Sequence, residues 1–164
     1  MKNKKNGYLT IELIVAMSII GLIFILSFPR YNDKEIVFSS EVYRFKSDIR
    51  KLNMLVSDRE DFYEVFLEDD KYTIFKNDKA ITTENLPDNI KILSGESSIV
   101  FNNTGRKGAP NKGLSVYFFQ RETKRLERIT IMLASARVVS YREDYEKNKA
   151  LVDYLLKDKG EELS

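Results

Sequence analysis

The side chains that could support catalysis or bind metal ions are few in this sequence. Cysteine and histidine are absent from the 164 residues, which excludes thiol nucleophiles, disulfide bonds, thiolate or imidazole metal sites and the usual neutral-pH proton shuttle. Neighbouring carboxylates lie at Glu60-Asp61, Glu68-Asp69-Asp70 and Glu143-Asp144. Each group falls in a predicted turn or helix cap, where acids are favoured for local reasons. Without a catalytic motif around them, the sequence predicts no enzyme, no cofactor and no metal site.

Glu12 is the acidic residue with the most unusual surroundings. It interrupts a run of mostly apolar residues from Leu9 to Phe28, which is close to the length that spans the core of a bilayer as an α-helix. An ionisable side chain inside such a helix is costly and usually has a partner or a function. The run therefore predicts a membrane helix that carries one functional carboxylate.

Basic residues precede this helix and set its orientation. Lys2, Lys4 and Lys5 lie close to its start, so the positive-inside rule places the N-terminus in the cytoplasm and the globular part outside. The run ends at the bulky Phe28 and is not followed by a small-residue signal-peptidase site. The sequence thus predicts a single-pass protein of the cell membrane, with its globular domain outside.

The N-terminal residues MKNKKNG-YLTIELIVAMSIIG resemble the leader and first helix of type IV pilins and pseudopilins. That family has a short basic leader ending in glycine, then an aromatic first mature residue, with glutamate as the fifth; Gly7, Tyr8 and Glu12 occupy these positions. The resemblance implies that a prepilin peptidase cleaves between Gly7 and Tyr8 and methylates the new amine. It also implies that the processed chain enters an extracytoplasmic filament, in which Glu12 pairs with the terminal amine of a neighbouring subunit.

Pro29 follows the apolar run at a position where the family often has proline. The resemblance implies a kink there in one long helix, but the residue is equally suited to end the membrane helix, because proline removes a backbone hydrogen bond. Beyond it, an apolar stripe at three- and four-residue spacing predicts an amphipathic helix: Phe38, Val42, Phe45, Ile49, Leu52 and Val56.

The rest of the chain consists of short β-rich runs and a final helical pattern. The runs YEVFLE and KYTIFK, separated by Asp69-Asp70, predict a hairpin. Further runs, IVFNNTGRKG, GLSVYFFQ and RITIMLASARVV, resemble the minor pseudopilin H and FimT group. Tyr141, Tyr145 and the apolar residues up to Leu156 predict a C-terminal amphipathic helix that ends near Lys157.

These elements together predict an α+β, pilin-like fold. A long N-terminal helix, with a membrane half and an amphipathic half, packs on a mainly antiparallel β-sheet, and a short C-terminal helix follows. The predicted boundaries are a leader over 1–7, a transmembrane assembly helix over 8–29, its amphipathic continuation over 30–57, a β-sheet domain over 58–142, and a C-terminal helix and tail over 143–164.

Clustered basic residues suggest a second activity. They lie in one predicted hairpin turn and in one further loop, at Arg121, Lys124, Arg125 and Arg128, and at Arg106, Lys107 and Lys112. Such a cluster can contact the phosphate backbone of DNA, although Glu122 and Glu127 weaken its field and charged turns are usually only solvated.

The function that the resemblance implies is that of a minor pilin or pseudopilin. Such a subunit helps to build the filament of a type IV pilus, a type II secretion system or a competence machine. Its expected partners are prepilin peptidase, other pilin or pseudopilin subunits, the membrane and the inner-membrane assembly platform. The alternatives are a DNA-binding subunit of an uptake pilus and an uncleaved, signal-anchored extracytoplasmic domain.

Overall fold

The computed structural model describes the backbone of residues 5–27, 33–58, 61–101, 110–133 and 137–158, and the side chains of 10–23, 33–56, 61–101, 110–133 and 137–157. The chain divides into two compact units, Met1–Ile36 and Val37–Ser164. The elements are, in chain order, α1 (Lys5–Ser27), α2 (Asp33–Asp58), β1 (Tyr63–Leu67), β2 (Lys71–Lys76), β3 (Lys79–Asn85), β4 (Ile90–Leu93), β5 (Ser98–Phe101), β6 (Leu114–Gln120), β7 (Arg125–Ile131), β8 (Val138–Glu143) and α3 (Tyr145–Asp158).

The fold is α+β, but the predicted pilin-like arrangement is wrong. Instead of one long N-terminal helix, α1 ends at Ser27 and a separate α2 begins at Asp33. Instead of one sheet, the strands form two four-stranded antiparallel sheets: sheet A, in the order β3-β2-β1-β5, and sheet B, in the order β4-β6-β7-β8. Among the helical residues whose side chains are described, no helix is both long enough and apolar enough to cross a membrane.

The division into two sheets follows from the pairing of β4 and β5. Strand β5 lies antiparallel to β1, with Phe101 opposite Tyr63. Strand β4 instead pairs with β6, with Ile90 opposite Gln120. Two consecutive strands therefore join different sheets. Alternation of apolar residues identifies each strand and its buried face, but it does not identify the neighbouring strand, so the sequence pattern did not reveal the second sheet.

Helix α2 provides the centre of the core of the second unit. Its apolar stripe from Phe38 to Val56 is buried, as the spacing predicts, and joins one cluster with side chains from both sheets. The ring of Phe45 lies 5.1 Å from that of Tyr72 in sheet A and 5.3 Å from that of Phe118 in sheet B, measured between centroids. The inward faces of the two sheets therefore meet on α2.

Helix α3 packs on the other face of sheet B. Its buried side chains Val152, Leu155 and Leu156 form a second cluster with residues that include Phe119 of β6. Phe119 also stacks on Tyr145, with ring centroids 5.4 Å apart. Sheet B is thus covered by a helix on each face. Sheet A has α2 on its inward face, while its outward face retains solvent-exposed side chains.

Candidate functional site

The predicted processing site lies in helix α1. The helix is continuous from Lys5 to Ser27, so the backbone at Gly7 and Tyr8 is helical. No proline occurs in the segment, so no backbone donor is missing from the helix. The side chain of Tyr8 and the whole of Pro29 lie outside the described residues, so the predicted kink is not tested.

Glu12 lies on a helix whose described side chains are all exposed from Thr10 to Ile23. The apolar ones surround the helix; Ile11, Met17 and Leu22 are 62%, 66% and 61% exposed. Ser18 has a hydrogen-bond partner within the helix, because its hydroxyl donates to the carbonyl of Ile14 at 2.7 Å. Glu12 lacks such a local partner among the described residues. It is therefore an available carboxylate on an apolar helix.

The predicted DNA-contact residues lie on and beside the turn between β6 and β7. Lys124 adopts a positive φ of 51° in this turn. Its Nζ lies 3.9 Å from a carboxylate oxygen of Glu146 and 5.6 Å from the ring centroid of Tyr145. Arg121, also in the turn, donates its backbone N–H to the carbonyl of Asn89. Lys124 thus lies beside the start of α3, whereas the backbone of Arg121 is bonded to the segment before β4.

The two arginines of β7 point to opposite faces of sheet B. Arg125 is directed towards α2, with its guanidinium 4.7 Å from the ring centroid of Phe38 and 3.6 Å from Glu127. Arg128 is directed the other way, and its Nε lies 2.9 Å from a carboxylate oxygen of Glu143. The cations predicted as one patch are therefore divided between two faces. Strand alternation separates positions 125 and 128 because their spacing is odd.

The second predicted basic loop contributes one described cation. Lys112 forms an ion pair with Glu96, at 2.6 Å between Nζ and Oε2. Arg106 and Lys107 lie outside the described residues. The described cation of this loop is thus paired with a carboxylate of another loop.

Polar groups on the sheet A side of α2 form a structural network. The hydroxyl of Tyr72 donates to Oδ2 of Asp48 at 2.8 Å. Burial raises the pKa of Tyr72 far above its usual value, and the bond to Asp48 adds to the rise. Tyr72 therefore remains protonated and connects β2 to α2. Among the described residues, no cluster of three or more acidic side chains is arranged to hold a metal ion.

Three cations that the sequence analysis did not select lie on α2 and on the side of β8 that faces it, at the edge of sheet B. Lys46 donates to Oγ of Ser140 at 2.6 Å, and Arg50 donates to the carbonyl of Val138 at 3.1 Å. Arg142 is exposed and lies on the same face of β8, because it alternates with Val138 and Ser140. We call Lys46, Arg50 and Arg142 the α2–β8 basic face. The spacing of Lys46 and Arg50 is visible in the sequence, but the contribution of β8 requires the fold.

A cleft of about 380 Å³ lies on the outward face of sheet A. We call it the sheet A cleft, and its lining residues are Glu64, Phe66, Phe75 and Asp78. Glu64 lies opposite Phe75 in the β1–β2 register, and Asp78 is in the turn after β2, at a φ of 65°. Neither acid forms an ion pair with another described residue. The alternation of β1 places Glu64 and Phe66 on one face, but the sequence alone does not show that this face remains exposed.

The candidate features thus fall in both units of the chain. Glu12 belongs to the first unit, and the two charged surfaces belong to the second. Each presents charge beside apolar side chains, which suits binding between macromolecules. Comparisons with protein-family models, curated proteins and solved structures found no match to this chain.

Proposed function

We propose that the chain is a structural subunit of a filament, of the minor pilin or pseudopilin class, and that prepilin peptidase processes it between Gly7 and Tyr8. The proposal rests on the N-terminal residues and does not depend on the fold of the second unit. The observation that carries it is Glu12, an unpartnered carboxylate among the described residues of an apolar, exposed helix.

The exposure of α1 is unfavourable for an isolated molecule in water. Apolar side chains such as Ile14 and Ile20, which are 60% and 55% exposed, gain about 25 cal/mol for each Å² that leaves water. A helix that is apolar all round therefore belongs in lipid or among other helices. We infer that segment 8–29 is held in the cell membrane before assembly and is packed among neighbouring subunits afterwards.

Glu12 gives this packing a register. A carboxylate placed among apolar helices is strongly disfavoured unless an opposite charge meets it. Cleavage after Gly7 creates an amine at Tyr8, and the corresponding amine of a neighbouring subunit supplies that charge. The pairing places adjacent helices at a fixed offset, which is what a filament subunit requires. The expected partners are the peptidase, other pilin or pseudopilin subunits and the inner-membrane assembly platform.

The intact mass of the full chain from its native membrane tests this function. The expected result is loss of residues 1–7 and an added methyl group on the Tyr8 amine. The matched control is the same chain from cells that lack prepilin peptidase, in which residues 1–7 should remain. An uncleaved N-terminus in both samples would contradict the proposal and favour a signal-anchored extracytoplasmic domain.

A further inference from the structure

The α2–β8 basic face carries positive charge that the described part of the second unit does not neutralise. Lys46 and Arg50 donate to neutral oxygens of β8 and have no carboxylate within ion-pair distance among the described residues. The cross-strand neighbour of Arg142 is Glu127, whose carboxylate instead lies 3.6 Å from Arg125. The face is therefore suited to an acidic partner.

The helical part of this face also presents exposed apolar side chains. Tyr43 and Met54 are 68% and 73% exposed. Together with Lys46 and Arg50 they recur at spacings of three and four residues, so the four side chains share one stripe of α2. Cations flanked by an exposed tyrosine and methionine have the composition of a protein-binding surface, in which apolar contact supplements charge.

The sheet A cleft has the complementary composition. Glu64 is half-buried beside Phe66 and Phe75, and Asp78 is exposed at the end of β2. A carboxylate beside aromatic rings binds a cationic side chain through an ion pair and a cation–π contact together. Ile81, which is 51% exposed on the adjacent strand β3, adds apolar area beside the cleft.

We propose that the α2–β8 basic face of one copy of this chain binds the sheet A cleft of a second copy. The two surfaces are opposite in charge, and both combine charge with exposed apolar side chains. They cannot meet within one copy, because α2 packs on the inward face of sheet A while Glu64 lies on the outward face. A second copy satisfies both surfaces without any further partner.

This contact joins two different surfaces and is therefore heterologous. A heterologous contact leaves one basic face and one cleft unoccupied in every pair, so that further copies add in the same direction. Unless the rotation closes a ring, the product is an open helical assembly. The inference rests on the proposed filament function and assigns the contact between its globular units.

Cysteine crosslinking tests this contact directly, because the chain has no native cysteine. Met54→Cys places a thiol on the α2 stripe, and Ile81→Cys places one beside the cleft. The two full-length variants are made with different mass tags, are expressed together in membranes with prepilin peptidase, and are treated with a thiol-specific crosslinker. We expect the product that joins the two variants to exceed the products that join like variants.

Charge reversal makes the test specific. Lys46→Glu with Arg50→Glu in the Met54→Cys chain should lower the mixed product by about tenfold. Glu64→Lys in the Ile81→Cys chain should do the same, and the two reversed chains together should restore it. The matched control is Lys147→Glu with Lys149→Glu, which makes the same change of charge on exposed residues of α3 and should have no effect.

Three outcomes would overturn the inference: no mixed product, products mainly between like variants, or a mixed product that charge reversal does not change. The mass of the N-terminus is measured in the same samples. Normal processing together with any of these outcomes refutes the contact alone, whereas an unprocessed N-terminus refutes the proposed function.

Discussion

Arg44 of α2 and Glu84 of β3 form an ion pair, with 3.2 Å between Nη1 and Oε2. The same nitrogen lies 3.1 Å from Oε2 of Glu41, whose side chain is only 8% exposed. Arg44 therefore connects the edge strand of sheet A to the central helix. It also places a positive charge beside a carboxylate that folding removes from water.

Replacement of Arg44 by Met should lower the free energy of unfolding by about 1–2 kcal/mol, because it leaves the Glu41 carboxylate desolvated without its counter-charge. Urea denaturation of the full chain in detergent measures this change. Lys51→Met is the control, since Lys51 pairs with Asp48 at a similar 3.1 Å but is 68% exposed. It should cost less than about 0.5 kcal/mol. Equal losses in the two variants would contradict the role given to burial.

The pH dependence of stability should identify Glu41. Burial raises its pKa above the ordinary 4.5; Arg44 opposes this rise and Glu84 adds to it. The folded protein then holds this proton more tightly than the unfolded chain does. The resulting stabilisation is complete below pH 4.5 and is lost as the pH rises through the folded-state pKa.

Glu41→Gln, which cannot ionise, should therefore become more stable relative to the wild type as the pH rises from below 4.5 to neutral. Unfolding free energies of the two full-length proteins at several pH values measure the difference. Glu68→Gln, on a carboxyl that is 40% exposed, is the control. A difference between Glu41→Gln and wild type that stays constant with pH would show that Glu41 titrates alike in both states.

Local patterns in the sequence predicted several elements and their buried faces, although not the arrangement of those elements. The stripe from Phe38 to Val56 is buried, and the predicted hairpin is confirmed as β1–β2, with Val65 opposite Ile74. The C-terminal pattern is confirmed by the burial of Val152 and Leu155 on sheet B. These signals depend on residues that are close in the chain, where spacing determines the face.

Features that combine distant segments were not predictable in the same way. The pairing of β5 with β1 and of β4 with β6 depends on contacts between segments, which periodicity does not encode. The α2–β8 basic face was not predictable for the same reason: Lys46 and Arg142 are far apart in the chain, and only the fold places them on one surface. The separation of Arg125 from Arg128, in contrast, follows from their odd spacing on one strand and was available from the sequence.

Tyr72→Phe should destabilise the second unit by about 1 kcal/mol, because it removes the hydrogen bond to Asp48 and leaves a largely buried carboxylate oxygen without this donor. Urea denaturation of the full chain gives the value. Tyr154→Phe removes the same atom from a residue that is 66% exposed and should have no measurable effect. If Tyr72→Phe leaves the free energy of unfolding unchanged, water or Lys51 must satisfy the Asp48 carboxylate in place of the hydroxyl.

Neutralisation of the β6–β7 turn should leave affinity for duplex DNA unchanged. Lys124 already lies near Glu146, and Arg125 is only 15% exposed and lies beside Glu127. Replacement of Arg121, Lys124 and Arg125 by Gln is the test, with fluorescence anisotropy read at low and high salt. A weaker affinity with a shallower salt dependence would instead identify this turn as a phosphate contact.

Glu12→Gln should separate processing from assembly. The side chain is exposed and forms no hydrogen bond or ion pair with a described residue, so the amide should leave helix α1 and cleavage after Gly7 intact. It cannot, however, neutralise the Tyr8 amine of a neighbouring subunit. We expect normal removal of residues 1–7 and about a tenfold loss of the chain from sheared filaments, measured by mass spectrometry and by quantitative blotting.

Ser18→Ala provides the matched control on the same helix. It also removes a polar group, but one whose hydroxyl is already bonded to the carbonyl of Ile14, so both processing and incorporation should match the wild type. Normal incorporation of Glu12→Gln would show that the carboxylate has no role in registry. Equal loss in both variants would mean that any polar change on α1 disturbs packing. A selective loss in Glu12→Gln leaves charge pairing as the cause, because only this variant removes a group that can carry charge.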